Sequence, residues 1–304
     1  MVLRYADPFH AQGMWLKGNV HTHTVYSDGE LTPEEQTERY RRAGYGFLAV
    51  TDHGTYVNTQ NLSQDEFTML QGEELSVGQT IAGTFYHIVA LGIGESLPFK
   101  EADHTLSPQI VVNYVNKSGG AAILAHPYWS GLTHGETASL GGLTALEVYN
   151  HVCELLNDRG DSPTHWDHLL ALGHQLNGMA VDDAHNKERE SLPDDSFGGW
   201  VMVKTEDKSE GGIIEALKRG SYYSSTGPEI LDVETSKDEI MIRCSPVKKI
   251  AFVTMPCLGI CYKDEEGCLT EARYRPRINE HYVRIQITDV NGGRAWTNPI
   301  YVEP

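Results

Sequence analysis

Two histidines stand one residue apart near the start of the chain, in the segment GNVHTHTVYSDGE at residues 18–30. Side chains at positions i and i+2 of a strand point to the same face, so His21 and His23 would converge on one point. Asp28 follows in the turn after that strand. Such a pair is either a polar strand end or part of a metal site, and this segment alone favours neither interpretation.

Ligand-type side chains recur beside later apolar runs. They are His53 in AVTDH, Glu74 in LQGEE, His126 in ILAHP, Asp183 and His185 in VDDAH, and His87, which begins YHIVALG rather than ending it. Clustered imidazoles and carboxylates are costly to bury unless a cation compensates for their charge and desolvation. The recurrence therefore favours one metal centre over a series of unrelated polar strand ends.

Alternating strands and helices from about residue 15 to residue 228 would position these residues. The helix in LTPEEQTERYRRAG has a capping box of Thr32 and Glu35 and ends before Gly44. Alternation of this kind predicts parallel strands in a barrel or a doubly wound sheet. No glycine-rich dinucleotide motif follows a strand, so we expect a barrel with its site at the C-terminal strand ends.

The pattern changes after STGPE, at residues 225–229. The segments that follow are short, rich in β-forming residues and joined by turns, with no helical period between them. We therefore expect a barrel domain at residues 1–228 and a small antiparallel β domain at residues 229–304. Packing or homo-oligomerisation is the expected role of the second domain.

Composition restricts the partners. The 304 residues carry a formal net charge of −18, which argues against broad contact with nucleic acid. No apolar run approaches the length of a membrane span and no secretory signal is evident, so a soluble cytoplasmic protein is expected. The odd number of cysteines argues against a disulfide framework. Free thiols at Cys257, Cys261 and Cys268 are favoured over a zinc site.

Six ordered motifs, HTHTVYSD, TDH, GEE, YHIVALG, AHP and DAH, resemble those of the PHP (polymerase and histidinol phosphatase) superfamily of metal-dependent phosphoesterases. The segments GNVHTHTVYSDG, DDAH and AWTNPIY resemble most closely its CehA/McbA-type metallohydrolase branch. The resemblance covers about residues 15–228. It implies an α/β fold, a distorted seven-stranded (β/α) barrel, with two to three divalent metal ions.

The resemblance implies three groups of metal ligands, two of which share Glu74 as a bridge. The groups are His21, His23, Glu74 and Asp183; Glu74, His87 and His126; and Asp28, His53 and His185. The motif spacing selects Glu74 over Glu73 and Asp183 over Asp182. Nitrogen and oxygen ligands without sulfur suit Zn, Mn or Fe, and spacing does not choose among them.

Further residues are candidates for supporting the ligands or contacting substrate: Asp52, Glu73, Glu147, Asn150, Asp182 and Arg159. Among these, Asp52, Glu73 and Asp182 would orient ligand imidazoles. His151 is a candidate proton donor, although a surface histidine is the simpler interpretation. Lys187 and Arg189 could bind a phosphate or be solvated charges. Tyr128 and Trp129 could form an apolar wall for a leaving group or pack in the core.

The leading functional hypothesis is a phosphoesterase that hydrolyses a small phosphate monoester or cyclic diester with a hydroxide bridging the metal ions. The scarcity of Arg and Lys in these loops keeps open the alternative, a metallohydrolase of carboxylic or carbamate esters. A nuclease ranks third because of the acidic charge. A non-catalytic metal-binding domain ranks fourth because every motif position is filled.

Overall fold

The computed structural model describes residues 2–188 and 193–303. The strands within these ranges are β1 (Val2–Arg4), β2 (Met14–Asn19), β3 (Phe47–Val50), β4 (Thr68–Val77), β5 (Tyr86–Leu91), β6 (Ala121–Leu124), β7 (Ala145–Asn150), β8 (Asn177–Val181), β9 (Trp200–Thr205), β10 (Tyr222–Ser225), β11 (Ile230–Thr235), β12 (Ile240–Val247), β13 (Lys249–Val253), β14 (Gly259–Lys263), β15 (Leu269–Tyr274), β16 (Tyr282–Thr288), β17 (Arg294–Thr297) and β18 (Ile300–Glu303). The helices are α1 (Pro33–Arg42), α2 (Pro108–Lys117), α3 (His134–Ala138), α4 (His151–Asn157), α5 (Pro163–Ala171) and α6 (Glu210–Arg219). No helix in the described part of the chain is long and apolar enough to span a membrane.

The start of α1 shows how local sequence positions these elements. The hydroxyl of Thr32 accepts a hydrogen bond from the backbone N–H of Glu35, and the Glu35 carboxylate accepts one from the backbone N–H of Thr32. Just beyond the helix, Gly44 has φ +80°, a conformation that glycine adopts without strain. The capping box predicted from the sequence is therefore confirmed.

The central sheet is mixed, so the prediction of parallel strands throughout is wrong. Strands β2–β3–β4 are parallel, as are β6–β7–β8, but β5 runs antiparallel to both β4 and β6. Residues 78–85 join β4 to β5 without a helix, and so short a loop cannot make a parallel crossover. The reversal places the beginning of β5, with His87, beside the ends of its neighbours.

The described strands do not form a closed barrel ladder. Strand β9 pairs antiparallel with β2 and so takes the edge of β2 that β8 would need for closure. The two ends meet only beyond the strands, at an isolated bridge between Thr22 and Ala184. There the backbone N–H of His23 donates a hydrogen bond to the carbonyl of Ala184, and the backbone N–H of Asp183 donates one to the carbonyl of His21. This junction brings the HxH and DxH segments together.

Two apolar layers hold the sheet. Phe47, Val89 and Ile123 share one buried cluster with Ile213 and Leu217 of α6, while α2 and α5 pack in a cluster with the opposite face. Burial of this apolar surface stabilises the scaffold by about 25 cal/mol per Å². The strand ends are thereby held in place for the polar side chains that follow them.

The strands after residue 229 pair only antiparallel, as the sequence predicts for the C-terminal region. Strands β11, β12 and β15 form a separate sheet, while β17 pairs with β10 and β18 pairs with β1 of the N-terminal region. Arg284 on β16 donates two hydrogen bonds of 2.6 Å to Asp167 on α5. The boundary at residues 228 and 229 stays a prediction.

All five cysteines are free thiols.

Candidate metal centre

The deep group, which we define as His21, His23, Glu74 and Asp183, is buried just beyond the ends of β2 and β8 and within β4. Glu74 Oε2 lies 3.1 Å from His21 Nε2 and 3.2 Å from His23 Nε2. Asp183 Oδ1 lies 3.2 Å and 2.9 Å from the same two nitrogens. The structure therefore brings together the four residues that the resemblance assigns to one metal ion.

Glu74 also faces a second set of imidazoles. Its Oε1 lies 2.8 Å from His87 Nδ1 and 3.3 Å from His126 Nε2, and its Oε2 lies 3.2 Å from His53 Nδ1. The ligand atoms of His53, Glu74 and His87 lie within 4.8 Å of one another. The structure thus places His53 with Glu74 and His87, in addition to the His126 contact expected from the resemblance.

The outer group consists of His23, Asp28, His53 and His185, and it is more exposed than the deep group. Asp28 Oδ1 lies 3.2 Å from His185 Nε2, 3.8 Å from His23 Nδ1 and 3.9 Å from His53 Nε2. The three predicted members therefore lie together, and His23 joins them. Because His23 stands between the deep and outer groups, the two form one continuous centre.

The carboxylates of the deep group favour positive charge at its two imidazoles. Burial alone lowers the pKa of His21, but Asp183, Glu147 and Glu74 together raise it well above its ordinary value. Burial likewise opposes protonation of His23, but Asp183 and Glu74 raise its pKa to about 9. Without a cation, the carboxylates must be compensated by protons on these imidazoles. A divalent ion would replace those protons.

Unsatisfied atoms and strained backbone support a cation at this centre. Asp183 Oδ1 and His53 Nδ1 are buried and form no hydrogen bond, although imidazole or carboxylate atoms lie about 3 Å away. Asp183 and His126 have φ values of +55° and +25°, which cost a residue with a β-carbon on the order of 1–3 kcal/mol. Buried polar groups normally have partners, so these features fit metal ligation better than ordinary packing.

Glu147 and Asn150 support the deep group. His21 Nδ1 donates to Glu147 Oε1 at 2.6 Å, which turns His21 Nε2 toward the centre. Glu147 Oε2 accepts from the backbone N–H of His126 and from Asn150 Nδ2, and Asn150 also donates to Asp183 Oδ2. One carboxylate thus orients two candidate ligands, a role that β7 makes possible because it lies between β6 and β8.

Three other carboxylates, which the sequence predicts to orient imidazoles, form no direct hydrogen bond to an imidazole among the described residues. Asp52 accepts hydrogen bonds from Thr24 and Ser27, and so holds the loop after β2. Glu73 accepts from the backbone N–H of Leu97, on the face of β4 opposite to Glu74.

Asp182, the third of these carboxylates, accepts from Tyr40 and from the backbone N–H groups of Phe197 and Gly199. Burial raises the pKa of both Glu73 and Asp182 to about 7.

The proton-donor candidate His151 is not placed at the site. It begins α4, its Nδ1 lies 2.9 Å from the Tyr149 hydroxyl, and the structure does not place it among the residues that line the cavity at the centre. The guanidinium of Arg159 stacks over the exposed ring of Tyr128 rather than facing the cavity. Arg189 lies outside the described residues.

A cavity of about 170 Å³ opens at this centre. Beside the ligands it is lined by Trp129, Val152, Cys153, Leu156 and Lys187. Trp129 and Lys187, which the sequence analysis names as possible substrate contacts, therefore lie at the cavity. The apolar residues of α4 were not predicted, because nothing in HVCELLN distinguishes a cavity wall from a core face. The arrangement can hold a small anionic group beside an apolar one.

Sequence comparisons relate this chain to two known proteins. No family model matches the chain. It is 30% identical over 127 residues to the uncharacterized protein MJ1587 of Methanocaldococcus jannaschii, covering 37% of this chain and 68% of that protein. It is 26% identical over 226 residues to the DNA polymerase/3'-5' exonuclease PolX of Bacillus subtilis, covering 62% of this chain but only 38% of PolX.

A crystal structure from Bacteroides vulgatus, described as a two-domain protein containing a predicted PHP-like metal-dependent phosphoesterase, has a similar fold. The TM-score is 0.50 at 16% sequence identity, and the alignment covers 94% of this chain and 95% of that one. The chain therefore belongs to the same family as MJ1587 and shares its fold with this two-domain protein.

Proposed function

We propose that this protein is a metal-dependent hydrolase that cleaves a small phosphate monoester or cyclic diester. The observation that carries the proposal is the convergence of six imidazoles and three carboxylates at one centre, where all of them except His21 and His23 line a small cavity and Asp183 Oδ1 and His53 Nδ1 form no hydrogen bond. The nine side chains would hold two to three ions of Zn, Mn or Fe. When bound, such ions supply Lewis-acid activation of a phosphoryl oxygen and of water.

The protein's own residues would organise the substrate around that chemistry. Glu147 keeps His21 Nε2 directed at the centre, and Lys187 provides an ammonium group at the cavity wall for an anionic oxygen. Trp129, Val152 and Leu156 provide an apolar surface for the leaving group. A cavity of this size suits a small ester rather than a polymer.

One observation favours a second candidate, a hydrolase of carboxylic or carbamate esters. Among the described residues that line the cavity, Lys187 is the one Lys or Arg, and it is already bound to Asp28. Phosphate sites commonly use several cationic side chains, often a bidentate arginine. The resemblance of three segments to the CehA/McbA-type branch also supports this second candidate. Turnover of a carbamate ester would favour it over the phosphoesterase.

The test is elemental analysis of the purified protein together with turnover of p-nitrophenyl phosphate, bis-p-nitrophenyl phosphate, p-nitrophenyl acetate, a carbamate ester and a short oligonucleotide. Phosphate-ester turnover that requires bound metal supports the proposal, and ester turnover without phosphate turnover contradicts it. Glu74→Gln should reduce the rate on the order of 10³-fold or more. Glu73→Gln is the matched control, because Glu73 is the neighbouring buried carboxylate on the opposite face of β4. It should change the rate less than threefold or so.

A further inference from the structure

Asp28 is shared between the outer group and a lysine. Its Oδ1 faces His185 at 3.2 Å, and its Oδ2 accepts a hydrogen bond from Lys187 Nζ at 2.8 Å. The loops that carry the two residues are joined, because the backbone N–H of Glu30 donates to the carbonyl of His185 at 2.8 Å. Lys187 is therefore held at the outer group by the same loops that position its ligands.

The charges of the two groups differ. The deep group has two carboxylates, Glu74 and Asp183, and the ion pairs of the described residues give neither of them a Lys or Arg partner. In the outer group Asp28 is the one carboxylate, and the Lys187 ammonium already neutralises it. A divalent ion bound there would compete with the Lys187 ammonium for Asp28, and the positive charge of that ammonium would repel the ion.

We propose that Lys187 competes with a divalent cation for Asp28 and so makes the outer group the weakest metal site of the centre. The inference rests on the proposed function in one respect, that these side chains bind metal. It assigns to Lys187 a regulatory role that is separate from substrate binding. Occupancy of the outer group would then respond to the free metal concentration while the deep group stays filled.

The test is a calorimetric titration of the metal-free full chain with Mn²⁺, in wild type and in Lys187→Met. We expect two classes of site in wild type, and we expect Lys187→Met to raise the affinity of the weaker class about tenfold with little change in the tighter class. Lys187→Arg, which keeps the charge, should leave the weaker class close to wild type. Circular dichroism establishes that each variant is folded.

Lys208→Met is the matched control. The side chain of Lys208 is 34% exposed, and its Nζ lies 2.9 Å from Glu66 Oε1. The side chain of Lys187 is 30% exposed, and its Nζ lies 2.8 Å from Asp28 Oδ2. Its removal should change neither class. The inference is overturned if Lys187→Met leaves the weaker class unchanged, weakens it, or shifts both classes equally. Absence of Mn²⁺ binding overturns the inference and the proposed function together, whereas the expected binding shift without hydrolysis of any phosphate ester overturns only the proposed function.

Discussion

Two histidine clusters in this molecule differ in what surrounds them. In the deep group, the rings of His21 and His23 are 5.1 Å apart. In the helical cluster, which we define as His134 on α3 with His165 and His168 on α5, the ring of His134 is 4.9 Å from that of His165 and 4.4 Å from that of His168. The ring spacing is similar, so spacing alone does not make a metal site.

The difference lies in the carboxylates. Carboxylates raise the pKa of both His21 and His23. In the helical cluster, burial lowers the pKa of His134 and His165, and neighbouring imidazoles lower it further. None of the ion pairs among the described residues involves these three histidines, and no metal-binding group includes them. The carboxylates of the deep group attract a cation, whereas the helical cluster has no ion pair with a carboxylate that would do so.

The largest expected effect comes from removing one histidine from each cluster. His23→Ala should abolish hydrolysis, on the order of 10³-fold or more, and lower the metal content, because His23 belongs to both the deep and outer groups. His168→Ala is the control: the residue is exposed, and metal content and rate should stay at wild-type values. Plasma mass spectrometry and turnover measure both. Unchanged metal stoichiometry in His23→Ala would show that the deep group is misassigned.

This contrast also shows what the sequence could and could not predict. The candidate ligands recur in a fixed order, after strands or, for Glu74 and His87, within them, so the members of the deep group were predictable from their motifs. The antiparallel β5 was not, because YHIVALG has the same pattern in either direction. Nor could local pattern reveal that β1 pairs with β18 or that β9 occupies the free edge of β2, since both pairings join distant segments.

The supporting residues were less predictable than the ligands. Neighbours of ligands in sequence, such as Glu73 and Asp182, point to the opposite face and instead hold backbone N–H groups. Strand alternation applied to GEE would have excluded Glu73 as a partner for an imidazole. Glu147, which does hold His21, is distant in sequence, and only the order of strands β6, β7 and β8 brings it to the centre.

A smaller effect should follow from neutralising this supporting carboxylate. Glu147→Gln removes the negative charge beside His21 but keeps a side chain that can hydrogen-bond to the backbone of His126. We expect metal affinity to fall about 10–100-fold with the fold intact. Competition with a chelator measures the change. Glu154→Gln, at a partly buried carboxylate that caps the Gly160 N–H, should leave metal affinity unchanged. If both variants behaved alike, the role of Glu147 would be structural only.

The smallest expected effect separates the two clusters by pH, in metal-free protein. The pKa of His23 is raised to about 9 in the folded state, so its contribution to stability is present below pH 6.5 and is lost as the pH rises toward 9. This alkaline loss should amount to about 1–3 kcal/mol. The pKa of His134 is lowered, so the unfolded chain binds a proton first and stability falls as the pH drops below 6.5.

Chemical denaturation between pH 5 and pH 10 distinguishes these two contributions. His23→Gln should reduce the alkaline loss, leaving the part that His21 contributes, and should leave the acid loss in place. His134→Gln should reduce the acid loss, by a smaller amount because this side chain is partly exposed and His165 contributes to the same loss. Saturating metal should remove the alkaline loss in wild type, since a bound cation takes over the role of the protons. An alkaline loss as large in His23→Gln and in metal-loaded protein as in metal-free wild type would mean that the carboxylates of the deep group do not hold protons on its imidazoles. The contrast between the two clusters would then rest on geometry alone.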